Sequence, residues 1–374
     1  MIRGVQLAIL VTVALAVDVT ERSSAGSPPP PFESATAGYR YEFPRDHGSH
    51  PSYRTEWWYY TGHLHTTSGR SFGFELTFFR RGVSPEDIKT LPSKWSLHHI
   101  YLAHFAVTDI TGKRFHFSEK LSREGLGKAG ADESRLHVWI DKWSAEADPD
   151  PAGVHTLVAH DETHSLTLTL QPTKPPVING REGISRKGKG VGHASHYYSF
   201  TRLSTTGSLT IDGEQFDVIG TSWMDHEFLS TELGADQVGW DWFSLQLEDN
   251  TELMLYRMRL KDGSTDLASS GTAVSVDGRT QHLEVTDFQI ESTATWTSPE
   301  SKATYPAKWR LKFPSLDLVL EVTPLLGDQE LRPSRSTQVN YWEGAVVMNG
   351  TKRGKPIKGH GYVELTGYTE RLKL

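Results

Sequence analysis

Glu56-Trp57-Trp58-Tyr59-Tyr60-Thr61-Gly62-His63-Leu64 returns in the second half of the chain as Gly239-Trp240-Asp241-Trp242-Phe243-Ser244-Leu245-Gln246-Leu247. Both stretches read as strands, because aromatic side chains suit a pleated, half-buried surface. The side-chain period of a strand is two, so consecutive aromatics face opposite ways. One set packs a core; the other faces a cavity or an interface.

Each copy is followed by a turn and a second aromatic strand ending in Arg, residues 72–80 and 253–259. The halves also close alike. Gly220-Thr-Ser-Trp-Met-Asp225 matches Gly359-His-Gly-Tyr-Val-Glu364, and the strands before them, His196-Tyr-Tyr198 and Tyr341-Trp-Glu343, correspond. A repeat this long exceeds solenoid periods and indicates a duplicated domain. The halves are placed at 38–230 and 231–374. Alternating runs at 58–64, 71–79, 100–107 and 165–170 fill the first half. Asp212-Gly213, Asp262-Gly263, Asp277-Gly278 and Asn349-Gly350 supply hairpin turns. Only residues 84–91 suggest a helix. The expected fold is all-β and mainly antiparallel: two barrels of the calycin type, in which about eight strands leave room for one small ligand.

Composition narrows the chemistry. In 374 residues, 46 Asp+Glu outnumber 39 Lys+Arg, so no global positive field gathers phosphates, and nucleic acid is not expected as a partner. The chain has no Cys, which removes disulfides, thiolate catalysis and Cys-based metal sites. Eleven Trp signal an aromatic interior or groove. Met1-Ile-Arg-Gly4, an apolar run to Val17 and the small residues Ser23-Ser24-Ala25 match a secretory signal over 1–25. The run is short of the roughly 20 apolar residues a membrane span needs. A Pro-rich linker follows at 26–37. The expectation is an exported protein, periplasmic or secreted. The Gly- and Lys/Arg-rich segment 172–192 reads either as a lid over a pocket or as a solvated loop.

Trp223-Met224-Asp225-His226-Glu227 carries the most chemistry. Ionisable side chains beside Trp are costly to bury unless paired, which fits either a functional site or a structural Asp–His bond at a domain junction. His196-Tyr197-Tyr198 lies one hairpin upstream. Residues two apart share a face, so His196 and Tyr198 are expected to join Trp223 and Asp225. Histidines 98, 99, 104, 193, 196 and 226 invite a metal reading, yet no zinc-ligand spacing is present, and no metal is assigned. Serine-hydrolase elbows, phosphate loops and dinucleotide fingerprints are absent, and no cofactor is assigned.

In the forms Thr55–Leu64, Trp223–Phe228, Trp240–Phe243 and Tyr341–Gly344, the chain resembles the AttH-like family that includes the carotenoid 1,2-hydratases, over most of residues 40–370. The resemblance implies a pair of lipocalin-like barrels. It implies Asp225 as proton donor to an isoprenoid double bond, with His196, Tyr198 and Trp223 lining the catalytic site. Glu56, Trp58, Tyr60, His226, Trp240, Trp242, Tyr341 and Glu343 complete the expected ligand-binding set. Such an acid works only if burial raises Asp225 from about 3.9 toward 7, roughly 4 kcal/mol. His196 would orient the water or take its proton. The expected partner is a hydrophobic small molecule, isoprenoid or lipid. A competing expectation is a non-catalytic carrier or accessory factor of an envelope export system, with peripheral membrane association.

Overall fold

The computed structural model describes residues 32–83, 98–148, 153–190, 192–231 and 233–372. The signal segment and the helical expectation at 84–91 lie outside them. The described residues form strands and two 3-10 turns, Arg45–His47 and Pro314–Leu316. None of their helices is long and apolar enough to cross a membrane.

The first sheet opens as an antiparallel meander of β1 (Thr55–His65), β2 (Ser71–Gly82), β3 (His99–Asp109) and β4 (Arg114–Arg123). Shorter strands β5 (Ala129–Ala131), β6 (His137–Ile140), β7 (Trp143–Ala147), β8 (His155–His160) and β9 (Ser165–Pro172) continue it. Two-residue strands β10 (Val177–Ile178) and β11 (Ser185–Arg186) lead into the long hairpin β12 (Ala194–Ile211) and β13 (Glu214–Leu229). The second sheet starts with β14 (Gln237–Leu247), β15 (Glu252–Leu260), β16 (Ser270–Val274) and β17 (Thr280–Glu284). It continues through β18 (Gln289–Thr297), β19 (Thr304–Phe313), β20 (Leu318–Pro324) and β21 (Glu330–Leu331) to the hairpin β22 (Tyr341–Lys352) and β23 (Lys355–Leu365).

The duplication is visible in the pairing. β1 lies between β2 and β13, and β14 lies between β15 and β23. Both sheets curl into barrel or half-barrel form. In the first, Lys120 on β4 reaches Asp141 at 3.1 Å and lies over the Trp143 ring, joining the two ends of the strand order. Alternation then sorts the aromatics. Trp58, Tyr60, Phe74 and Phe105 fill the first barrel, and Phe243, Trp309 and Leu320 the second. Tyr59, Tyr197, Trp223, Trp242, Met254 and Tyr256 form a third cluster between them. Side chains of the first two clusters pack the barrel interiors, and a cavity opens between the barrels.

One turn differs from expectation. Asp212 and Gly213 make the β12–β13 turn with φ of 50° and 82°, but Asn349-Gly350 sits within β22, whose turn falls at Arg353-Gly354. Glycine is required at 350 because a Cβ there would lie 1.9 Å from the Val319 carbonyl oxygen of the neighbouring strand. Within the 172–192 segment, residues 174–186 are tied to the rest of the fold, and Lys187 reaches the cavity. β10 and β11 pair with β12, and Lys174 bonds Glu252 at 2.7 Å and the carbonyls of Asn250 and Ser275.

Candidate functional site

A bulge decides which side chains meet. Counting from Ile211 opposite Glu214, an unbroken hairpin brings Phe200 opposite Asp225 and Tyr198 opposite Glu227. One extra residue on β12, between Phe200 and Leu203, shifts the register. Ser199 then stands opposite Asp225 and Tyr197 opposite Glu227. The slip exchanges the faces of the strand. His196 and Tyr198 consequently leave the Asp225 face, which corrects the expected constellation.

The Asp225 face is built as follows. Trp223 Nε1 donates to Asp225 Oδ1 at 2.7 Å, Ser199 Oγ to the same oxygen at 2.5 Å, and Tyr197 Oη to Oδ2 at 2.8 Å. The hydroxyls are themselves oriented. Trp242 Nε1 donates to Tyr197 Oη at 3.0 Å, and Asn179 Nδ2 to Ser199 Oγ at 2.8 Å, so both hydroxyl protons are turned toward the carboxyl. Asp225 is 3% exposed. Burial pushes its pKa up to about 7; the three donated bonds oppose this and Glu227 adds to it. No arginine touches it among the described residues.

These groups open on a cavity of about 500 Å³ between the outer faces of the barrels. Phe79, Leu102, Leu229, Leu233, Met258 and Val339 give it apolar walls, and Trp57, Tyr59, Trp240 and Trp242 aromatic ones. Its polar part holds Asp225, Glu227, Glu364, Lys187 and Tyr197. Lys187 Nζ lies 2.8 Å from Glu227 Oε1 and 4.1 Å from the centre of the Tyr256 ring. Burial works against that ammonium, but Glu227 outweighs it and holds its pKa above the ordinary lysine value. Behind the wall, Tyr59 Oη donates to Glu343 Oε1 at 2.5 Å. Burial raises Glu343 and Glu75 well above the ordinary glutamate range, and proximity to each other and to Glu364 raises Glu343 further.

Of the expected site residues, the structure brings Asp225, Trp223, Trp240, Trp242, Tyr341 and, through Tyr59, Glu343 to this region. Tyr341 also shares its hydroxyl with His104 Nδ1 at 2.6 Å. The others lie elsewhere. Trp58 and Tyr60 face the first barrel, where Trp58 Nε1 donates to the His47 carbonyl and Tyr60 Oη meets His155. Alternation along β1 puts their neighbours Trp57 and Tyr59 at the cavity instead. His196 packs against Tyr39 and Tyr53, with Nδ1 2.9 Å from the Gly183 oxygen. Tyr198 Oη bonds His47 and His226. Glu56 and His226 belong to a buried group with His50 and Arg80: Glu56 Oε1 lies 2.9 Å from His226 Nε2 and 2.8 Å from His50 Nδ1, and Oε2 2.9 Å from Arg80 Nε. Burial opposes the Glu56 charge, yet Arg80 and the two imidazoles more than offset it and hold its pKa well below the ordinary range. The sequence reading gives no role to Tyr197, Ser199, Glu227, Lys187 or Glu364, although Glu227 lies in the stretch it singles out. The repeat itself points to Glu364, which it aligns with Asp225.

Two groupings among the described residues have the residue types of a metal site. In His50-Glu56-His226, Arg80 already supplies the cation that Glu56 needs. In His116-Asp161-His164, the imidazole rings are stacked 3.5 Å apart at 5°, so their nitrogen lone pairs lie in parallel planes and do not converge on one ion.

Fold and cavity together define a twin-barrel protein with an acid-lined apolar chamber at the barrel junction. The AttH-like family model matches residues 34–368, and the chain belongs to that family. The crystal structure of an AttH from Nitrosomonas europaea superposes with a TM-score of 0.80 at 33% identity, over 90% of this chain and 100% of that one. The crystal structure of kievitone hydratase from Nectria haematococca gives 0.68 at 18% identity, over 91% and 98%, a likeness of fold. In sequence, the kievitone hydratase of Fusarium solani subsp. phaseoli is 22% identical over 245 residues, 64% of this chain and 68% of that protein.

Proposed function

We propose that this protein is a hydratase or dehydratase that acts on an apolar, isoprenoid-type small molecule in the inter-barrel cavity, with Asp225 as the acid. The observation that carries the reading is a buried carboxyl, poised near neutrality, at the edge of an aromatic apolar chamber. The hydratase relative in sequence supports the reaction class.

The residues fit the steps of alkene hydration. Burial raises Asp225 to about 7, so near neutrality a large share of the molecules hold its proton. When its proton passes to an alkene carbon, the charge appearing on the carboxylate meets three donors already aimed at it, so little reorganisation is required. The tertiary cation formed on the substrate faces the aromatic walls, each ring contributing up to about 2 kcal/mol when desolvated. Water then attacks, and dehydration runs the same path backward. Export is part of the proposal and is supported by the pattern of residues 1–25.

The test is turnover of a prenylated phenol in ²H₂O. The wild type should place one deuteron on carbon and a deuteroxyl on the tertiary centre, whereas Asp225→Asn should bind the phenol and leave it unchanged. Equal behaviour of the two proteins, both binding without turnover, would establish a carrier instead.

A further inference from the structure

Hydration leaves the attacking water in need of a base, and His196, the residue expected to serve, packs on the opposite face of β12. The duplication supplies another group. Tyr59 stands opposite Asp225 across β1 and β13, and Trp242 opposite Glu364 across β14 and β23. Asp225 and Glu364 thus occupy equivalent positions of the two halves, and both line the same cavity. Each also accepts an indole N–H, Asp225 from Trp223 at 2.7 Å and Glu364 Oε2 from Trp240 at 2.8 Å. Asp225 is further held by Tyr197 and Ser199, while Glu364 Oε1 has no hydrogen-bond partner among the described residues. Glu227, the third carboxylate at the cavity, has its charge matched by Lys187.

We propose that Glu364 is a second catalytic carboxyl, the base that takes a proton from water while Asp225 gives one to the alkene. This rests on the hydratase reading above. The balance closes. The Asp225 O–H bond breaks and the alkene π pair forms the new C–H bond; a water lone pair forms the C–O bond to the tertiary carbon, and the proton released from that water goes to the Glu364 carboxylate. One proton returned from Glu364 to Asp225 resets the enzyme, and the net change is addition of one water.

Two acids facing one largely apolar cavity titrate as a pair, because ionising one disfavours ionising the other. Burial pushes Glu364, like Asp225, up to about 7, with Trp240 opposing and Glu227 and Asp225 adding. Near neutrality the pair then holds one proton, which gives one donor and one acceptor together. The other groups acting on Glu364 are Lys187, Glu343, Glu75, Tyr59 and Tyr341, and Arg80, Arg81 and His104 stand elsewhere around the cavity.

Carboxyl ¹³C NMR titration of the full chain tests the pairing, and turnover of 2-prenylphenol in ²H₂O tests the role. The midpoint of Glu364 should lie near 7 and move down by about one pH unit in Asp225→Asn. Glu364→Gln should lose turnover by about a hundredfold or more while binding the probe normally, as read by Trp fluorescence. Glu364→Asp should recover part of the rate, which a folding defect does not predict. A Glu364 midpoint in the ordinary glutamate range, or equal turnover in the Gln and Asp variants, overturns the proposal. No turnover by the wild type overturns the hydratase reading and the base role with it, and the titration then reports whether the coupled pair exists.

Discussion

At the scale of single residues, Asp225 converts burial into a pH-dependent stability. Its folded pKa lies near 7, against an ordinary value of 3.8. Below about pH 4 the group is protonated whether the chain is folded or not. Between about 4 and 7 the unfolded chain ionises while the folded one holds its proton, so this contribution to stability falls as pH rises and is fully lost above 7. The shift corresponds to at most about 4 kcal/mol. Buried histidines such as His47 and His155 have depressed pKa values through burial and add slopes of the opposite sign. Comparing two proteins that share them cancels those slopes. Urea unfolding of wild type and Asp225→Asn from pH 4 to 8 should therefore show the wild type losing up to about 4 kcal/mol relative to the variant. A constant difference across that range would mean that Asp225 ionises normally in the fold.

At the scale of elements, the sequence makes the strands legible and hides one register. The aromatic runs that define β1 and β14 and the Asp212-Gly213 turn are local signals, set by side-chain period and by tolerance of positive φ. The bulge between Phe200 and Leu203 has no such signature. It places one extra residue on β12, and with it Tyr197 rather than Tyr198 beside Asp225. The same slip explains why matching His196-Tyr-Tyr198 to Tyr341-Trp-Glu343 is off by one: Ser199 and Glu343 occupy the equivalent places, opposite Asp225 and Glu364. The two tyrosines therefore give a sharp test. Tyr197→Phe removes a donor from the ionised carboxyl and should raise the Asp225 midpoint by about one pH unit in a ¹³C titration. Tyr198→Phe, changed on the other face, should leave it in place. The reverse result would restore the regular hairpin and the face originally expected.

At the scale of the molecule, the cavity exists because neither barrel completes its own outer surface. Tyr59, Tyr197 and Trp223 from one half pack with Trp242, Met254 and Tyr256 from the other, and polar contacts continue the seam. Thr108 Oγ1 donates to Gln329 at 2.8 Å, Gln246 Nε2 to the carbonyls of Thr201 and Ser222, and Arg202 Nε to Glu252 at 2.7 Å. Glu119 accepts the backbone N–H groups of Ser334, Arg335 and Ser336. The repeat makes two units legible, but nothing local in the sequence says how tightly they are joined, since these partners lie from 24 to more than 200 positions apart in the chain. Exposing such a seam would give up its aromatic packing and its hydrogen bonds, the latter worth about 0.5–1.5 kcal/mol each, so the halves should unfold together. Calorimetry should give one transition with a calorimetric enthalpy close to the van't Hoff value. Trp242→Ala, which removes an aromatic from the seam and the N–H that orients Tyr197, should lower that single transition by roughly 3–5 kcal/mol of stability. If Trp242→Ala instead splits the melt so that the first barrel unfolds at its original temperature, the barrels are independent, and the acid pair would be held only by their docking.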